Sequence, residues 1–278
     1  MVSPLKSVAL VPVMRASFVE GVDFTKRAAV ITGAGGGMGL QISRDLLRLG
    51  ADVLMLDVKA RPDGIDDGPG EAVYLPTDIT DEAAVASAIN GFFAKTGRLD
   101  YLGNIAGLNM WDLDGSVVDG QREAWDRTID VNVTAMRHTL RHAIPLMIRS
   151  GGGSAVQVSS IQCVRGDPMP QDAYQVSKAG VLALSRSIAI QFAEKGIRSN
   201  AILPGVVVTP MQARLDNNAE MRHRVEDLVP LRRIGDAQDI ANLCLFLFSD
   251  LSSYITGTEI VPDGGMLALP PYAALAKA

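Results

Sequence analysis

A cluster of glycines wedged between an apolar tetrapeptide and an amphipathic stretch constrains this chain more than any other feature. Ala28 to Ile31 is short and apolar, and Thr32-Gly33-Ala34-Gly35-Gly36-Gly37-Met38-Gly39 follows it. Met38 to Leu49 then carries apolar residues at helical spacing and stops at Gly50. A glycine cluster by itself is only a flexible turn. Placed between a strand and a helix, it lets the backbone approach a pyrophosphate, with the free N–H groups of the helix start pointing at the anion. The expectation is a dinucleotide-binding turn.

The remainder of the chain alternates in the same way. Val53 to Leu56 is a second apolar run closed by Asp57, residues 59 to 71 form a polar loop, and Ala72 to Leu75 is a third strand. Glu82 to Lys95 reads as a helix capped at Thr80 or Asp81. Tyr101 to Ile105, Ala155 to Val158, Ile197 to Leu203 and Thr258 to Val261 read as further strands. Helical stretches run over about 121–149, 173–195 and 237–249. Alternation of this kind predicts an α/β fold: a single doubly wound, Rossmann-type domain with a mostly parallel, seven-stranded sheet covered on both faces. The domain is expected over residues 24–267, with an N-terminal extension at 1–23 and a C-terminal tail at 268–278.

Composition excludes several function classes. A net charge of −5 is no footprint for nucleic acid. No stretch approaches the ~20 apolar residues of a membrane span, and the first twenty residues lack the apolar core of a signal peptide. Cys163 and Cys244 support neither a disulfide framework nor a zinc site, which points to a reducing, cytoplasmic setting. His138 and His142 are one helical turn apart, but without a zincin glutamate and flanked by arginines they read as a solvated or interface face. No metal is expected.

Tyr174 and Lys178 lie four residues apart in a helical run, so their side chains share a face. A phenol has an ordinary pKa near ~10 and is a poor base at neutral pH. A fixed ammonium beside it favours phenolate and lowers that pKa, so the pair can shuttle a proton. Asp57, ending the second strand, can accept from both ribose hydroxyls of a dinucleotide and would repel a 2′-phosphate. Gly36 stands where a basic residue would favour NADP, although Lys59 and Arg61 are near; NAD is the expected cofactor.

With these motifs in order, the sequence resembles the short-chain dehydrogenase/reductase family over residues 24 to 267. The resemblance implies cofactor contacts at Gly33, Gly37, Met38 and Gly39, and an adenine contact at Asp78 with Ile79 beside it. Asn104-Ile105-Ala106-Gly107 is similar to the family's Asn-Asn-Ala-Gly and departs from it at Ile105. Asn104, Ala106 and Gly107 are thereby implied to face the cofactor. Asn132 matches the catalytic asparagine, implied to hold a water that relays protons to Lys178. Ser160 matches the serine that orients the substrate oxygen, with Ser159 as the alternative. Pro204 to Thr209 matches the segment whose Val207 backbone and Thr209 hydroxyl hold the carboxamide. The resemblance implies hydride transfer between nicotinamide and a secondary alcohol or ketone. Tyr174 would be the general acid or base, and Lys178 would also hold the nicotinamide ribose.

Substrate contacts are expected from the segments after the strand ends, at Met110, Trp111, Gln162 and Met211. Met169, Leu215 and Met221 add to an apolar, adaptable pocket for a medium-sized cyclic or aryl molecule. Residues 210–228 are expected to form a substrate lid, and the helices near 121–149 and 173–195 to supply subunit faces of a homotetramer or homodimer. Two other functions fit the same cofactor turn. One is an epimerase or dehydratase that uses NAD transiently; the other is a dinucleotide-binding protein without catalysis.

Overall fold

The structure is a computed structural model, describing residues 22–65, 68–215 and 218–269. The expected extension at 1–23 therefore lies almost wholly outside the described residues, as does the tail beyond residue 269. Seven strands form one sheet: β1 (Ala28–Thr32), β2 (Asp52–Asp57), β3 (Ala72–Pro76), β4 (Tyr101–Asn104), β5 (Gly153–Val158), β6 (Ile197–Ile202) and β7 (Glu259–Ile260). Their order is β3-β2-β1-β4-β5-β6-β7, and every pairing is parallel. The chain winds outward from β1 on one side and from β4 on the other. This puts a switch point, and hence a crevice, at the carboxyl ends of β1 and β4.

The strands are buried on both faces, so they read as continuous apolar runs rather than alternating ones. One core layer packs α1 (Gly37–Arg48) and α7 (Ala237–Phe248) against the sheet through Ile42, Leu46, Leu245 and Phe248. The other layer packs α2 (Glu82–Thr96), α4 (Ala135–Arg149) and α5 (Asp172–Phe192) through Ile89, Phe92, Leu140, Met147 and Val181. Caps follow the sequence. Asp81 accepts from the Ala83 and Ala84 N–H groups at the start of α2. Asp236 and Asp239 close a reciprocal capping box on α7.

Two expectations need correction. The stretch at 121–149 is not one helix: α3 (Arg122–Ile129) and α4 are joined by a π turn at Asp130–Thr134. Asn132 sits in that turn, where the wider winding re-aims its side chain. The second correction concerns the histidines. His138 is buried with Nδ1 3.3 Å from the Ile79 carbonyl, and His142 Nε2 lies 3.1 Å from Glu82. They face the start of α2 because α2 and α4 pack together.

Candidate active site

A cleft of about 550 Å³ opens over the carboxyl ends of β1, β2 and β4. Its walls include the expected Gly33, Gly37, Met38, Gly39, Asp57, Asp78, Ile79, Ala106, Gly107, Thr209 and Met211. Two glycines are required by geometry. Gly33 has φ +68°, and a Cβ there would lie 2.9 Å from the Ala106 backbone. At Gly39 a Cβ would come 2.2 Å from the Gly33 carbonyl oxygen, so only glycine lets α1 start this close to the turn. The turn is tied to the edge carboxylate: Gly35 N–H donates to Asp57 Oδ2 at 2.8 Å, and Lys59 N–H donates to Oδ1 at 3.0 Å.

Asp78 accepts from the Thr80 N–H and hydroxyl and from Arg127, which together hold its carboxyl below the usual range. Sequence reasoning missed Arg127 and Val131 on this wall, while Asn109 falls in the loop after β4 that was expected to reach it. Their helix and loop positions become adjacent to the cleft only through the crossover from β4. Asn104 does not face the cleft. Its side chain is buried, donating to Gln157 Oε1 and accepting from the Thr139 hydroxyl, so it braces β4 against β5 and α4. Pro204 is also buried, its carbonyl accepting from Ile161 N–H. Thr32 Oγ1 accepts from both Ile105 and Ala106 N–H, which holds the strand ends together despite the departure at Ile105. The Val206 and Val208 backbones bond to Gly235, which turns the Val207 N–H and C=O to the opposite side.

Asn132 acts as a staple. Its Oδ1 accepts from Leu108 N–H at 2.7 Å, and its Nδ2 donates to the Leu108 carbonyl and to Ser177 Oγ, each at 2.9 Å. Three segments far apart in sequence thereby meet beside Lys178. Lys178 is itself 3% exposed, and its Nζ donates to the Val158 carbonyl at 2.9 Å. Tyr174 is positioned by a residue that sequence reasoning did not single out. Asp114 accepts from the Ala173 and Tyr174 N–H groups at 3.1 and 2.9 Å and so caps α5 from another loop.

Ser160, not Ser159, lies against Tyr174. The Ser160 hydroxyl is near enough to the phenol to draw its pKa down, and it accepts from Gln162 N–H. Ser159 Oγ instead donates to the Lys178 carbonyl. The tyrosine–lysine pair departs from the sequence expectation in one respect. Burial pushes the Tyr174 phenol up to about 12, against a smaller lowering by Ser160. Burial also pulls Lys178 down to about 8. The ammonium lies over the ring, 5.6 Å from its centroid. Desolvation, not the neighbouring ammonium, therefore sets the direction of the phenol's shift.

Of the expected substrate contacts, Met211 lines the cleft, and Met110, Trp111 and Gln162 are partly buried on the adjoining loops. Met169 and Met221 are 52% and 38% exposed, and nothing is described of the Leu215 side chain. The expected lid contains a 3-10 segment at Pro210–Leu215 and α6 (Ala219–Leu228).

Residues 33–267 match a family model described as enoyl-(acyl carrier protein) reductase. The chain belongs to the short-chain dehydrogenase/reductase family. It is 36% identical to the oxidoreductase UcpA of Escherichia coli K12, over 87% of this chain and 94% of that protein. It is 34% identical to the cis-4-hydroxycyclohexanecarboxylate dehydrogenase of Sinomonas cyclohexanicum, over 90% of this chain and all of that one. Among solved structures, a short-chain type dehydrogenase/reductase from Mycobacterium ulcerans superposes with a TM-score of 0.82 at 32% identity. That superposition covers 92% of this chain and 96% of the other. An oxidoreductase acting on a small molecule is what these relatives support. Dehydrogenases of this family generally use a nicotinamide cofactor, and the cleft, its glycine turn and the edge carboxylate fit one.

Proposed function

We propose that the protein is an NAD-dependent dehydrogenase/reductase of secondary alcohols and ketones, with a medium-sized cyclic or aryl substrate. The observation that carries this reading is the single constellation of Asn132, Ser160, Tyr174 and Lys178 beside the cleft over the glycine turn. Bound nicotinamide supplies the hydride or accepts it. Everything else falls to the chain's own groups. Gly33, Gly37, Met38 and Gly39 bear on the pyrophosphate, Asp57 on the ribose hydroxyls, and Asp78 and Ile79 on the adenine. Ala106, Gly107, Val207 and Thr209 border the nicotinamide end. Asp57 favours NAD because its carboxylate opposes a 2′-phosphate, although Lys59 Nζ stands near Gly36 at the same mouth.

Ser160 orients the substrate oxygen, and Tyr174 gives it a proton in reduction or takes one in oxidation. With its pKa near 12 the phenol holds its proton at neutral pH, which suits the acid role directly. Lys178 fixes the ribose and supplies the positive charge that the base role needs. Asn132 holds a water that passes protons to Lys178. A cyclic substrate accords with the named substrate of the Sinomonas relative. The two free cysteines suit the cytoplasm, and among the described residues no helix is long and apolar enough to cross a membrane. The protein works as a homotetramer, or failing that a homodimer.

The test is absorbance at the NADH band across a library of alcohols and ketones with each cofactor. NADH formation from a cyclic secondary alcohol, well above NADPH formation, is the expected result. Isomerised or dehydrated product without net NADH would overturn it in favour of transient cofactor use.

A further inference from the structure

The cleft wall holds a pair of charges that the reaction centre does not use. Asp78, from the loop after β3, and Arg127, near the end of α3, both line it. Arg127 Nη2 donates to Asp78 Oδ2 at 3.3 Å and Nη1 donates to Thr80 Oγ1 at 3.4 Å. Nη1 also stands 3.6 Å from Asp130 Oδ2. All three are long contacts, and a guanidinium carries five N–H donors, so the group is aimed without being saturated. Asp78 Oδ1 takes the Thr80 N–H and hydroxyl at 3.0 and 2.8 Å. Among the described residues, Oδ2 has only Arg127.

Ion pairing by itself does not account for this arrangement. Arg127, Asp78 and Asp130 are all nearly half exposed, and pairs of that kind add little to stability. The neighbouring lining is apolar: Ile79, Val131, and Val58, which is left 67% exposed. Apolar side chains beside a polar edge suit a flat heteroaromatic base, whose faces take apolar contact and whose rim takes hydrogen bonds. The edge has a definite pattern, an acceptor at Asp78 Oδ2 beside a donor at Arg127 Nη2. The Thr80 N–H and hydroxyl, with Arg127, hold the carboxyl below its usual range, so it stays ionised and only accepts.

We propose that Arg127 is a cofactor-binding residue, forming with Asp78 an acceptor–donor edge that recognises a 6-aminopurine; this rests on the dinucleotide reading above. The amino group of adenine is a donor with a ring-nitrogen acceptor on either side, so it matches the pair on both of its edges. A 6-oxopurine puts an acceptor in that place. Beside its N7 it offers two acceptors and nothing for the carboxylate. Beside its N1 it offers an acceptor and a donor in the reverse order, which shifts the base along the edge while the ribose stays at Asp57. A lysine cannot take over this role, because an ammonium is a point charge without the flat fork that sets donors in the plane of a base.

Calorimetric titration tests this with NAD and with nicotinamide hypoxanthine dinucleotide, which carries a 6-oxo group in place of the amino group, and in parallel with AMP and IMP. The wild type should bind each amino compound about tenfold more tightly than its oxo counterpart. Arg127→Met should weaken NAD and AMP by about tenfold and bring both ratios toward one, with a melting temperature near that of the wild type. Arg127→Lys should not restore the ratios. Wild-type ratios near one, ratios unmoved in Arg127→Met, or full recovery in Arg127→Lys would overturn the proposal, while NAD binding keeps the cofactor reading intact. Should Arg127→Met fail to fold, the wild-type ratios and Arg127→Lys decide. Binding of NADP in place of NAD would correct the cofactor reading alone, since AMP against IMP still measures the base edge. No binding by any of these compounds overturns both.

Discussion

Burying Tyr174 and Lys178 side by side moves their protonation equilibria in opposite directions, and both movements are measurable as stability. Lys178 sits near 8 in the folded protein against an ordinary value of 10.5. Between those values the unfolded chain binds more protons, so stability rises with pH through that window. Over pH 8 to 9.5 the gain is roughly 2 kcal/mol. Tyr174 and Tyr101, both pushed up to about 12 by burial, act the other way: between pH 10 and 12 the folded state keeps protons that the unfolded chain loses, and stability falls. Urea midpoints of the wild type should therefore climb between pH 7.5 and 9.5, while those of Lys178→Met stay flat over the same range. A second outcome concerns the phenol alone. Tyr174→Phe should lower turnover about a thousandfold and leave NAD affinity, read by fluorescence titration, within about threefold.

At the scale of elements, the site depends on caps and turns that hold one segment against another. Asp114 caps α5 across some sixty residues of sequence, so Asp114→Ala should cost about 1–2 kcal/mol and release the turn that carries Tyr174. Chemical denaturation measures the first effect, and a fall in kcat larger than any rise in KM marks the second. Gly39→Ala should be worse for binding than for chemistry, because its Cβ meets the Gly33 carbonyl and opens the turn. Weakened NAD binding by calorimetry, with the fold retained by circular dichroism, is the expected signature. The glycine turn, the strand–helix alternation and the Tyr174–Lys178 spacing were legible in the sequence because each is a local pattern. The π turn at Asp130–Thr134 was not, since its residues continue a helical pattern and only the distant Leu108 backbone draws Asn132 out of it. The same holds for the inward turn of Asn104, whose partners Gln157 and Thr139 lie on other elements.

For the whole molecule, the apolar residues left at the surface bear on assembly. Val176 and Ile190 on α5 are 48% and 79% exposed, and Leu251 and Tyr254 beyond α7 stand out to solvent. Sedimentation should find tetramers or dimers at micromolar concentration; a monomer alone would count against the proposed assembly. The Asn132 staple has a consequence of another kind, in time rather than in space. It joins residues 108, 132 and 177, which no local folding event brings together, so the reaction centre closes only after the crossovers from β4 to β5 and from β5 to β6 have both docked. Regain of catalysis in a refolding experiment then becomes a clock for the last step of assembly, lagging the helical signal that α1 and α5 restore early.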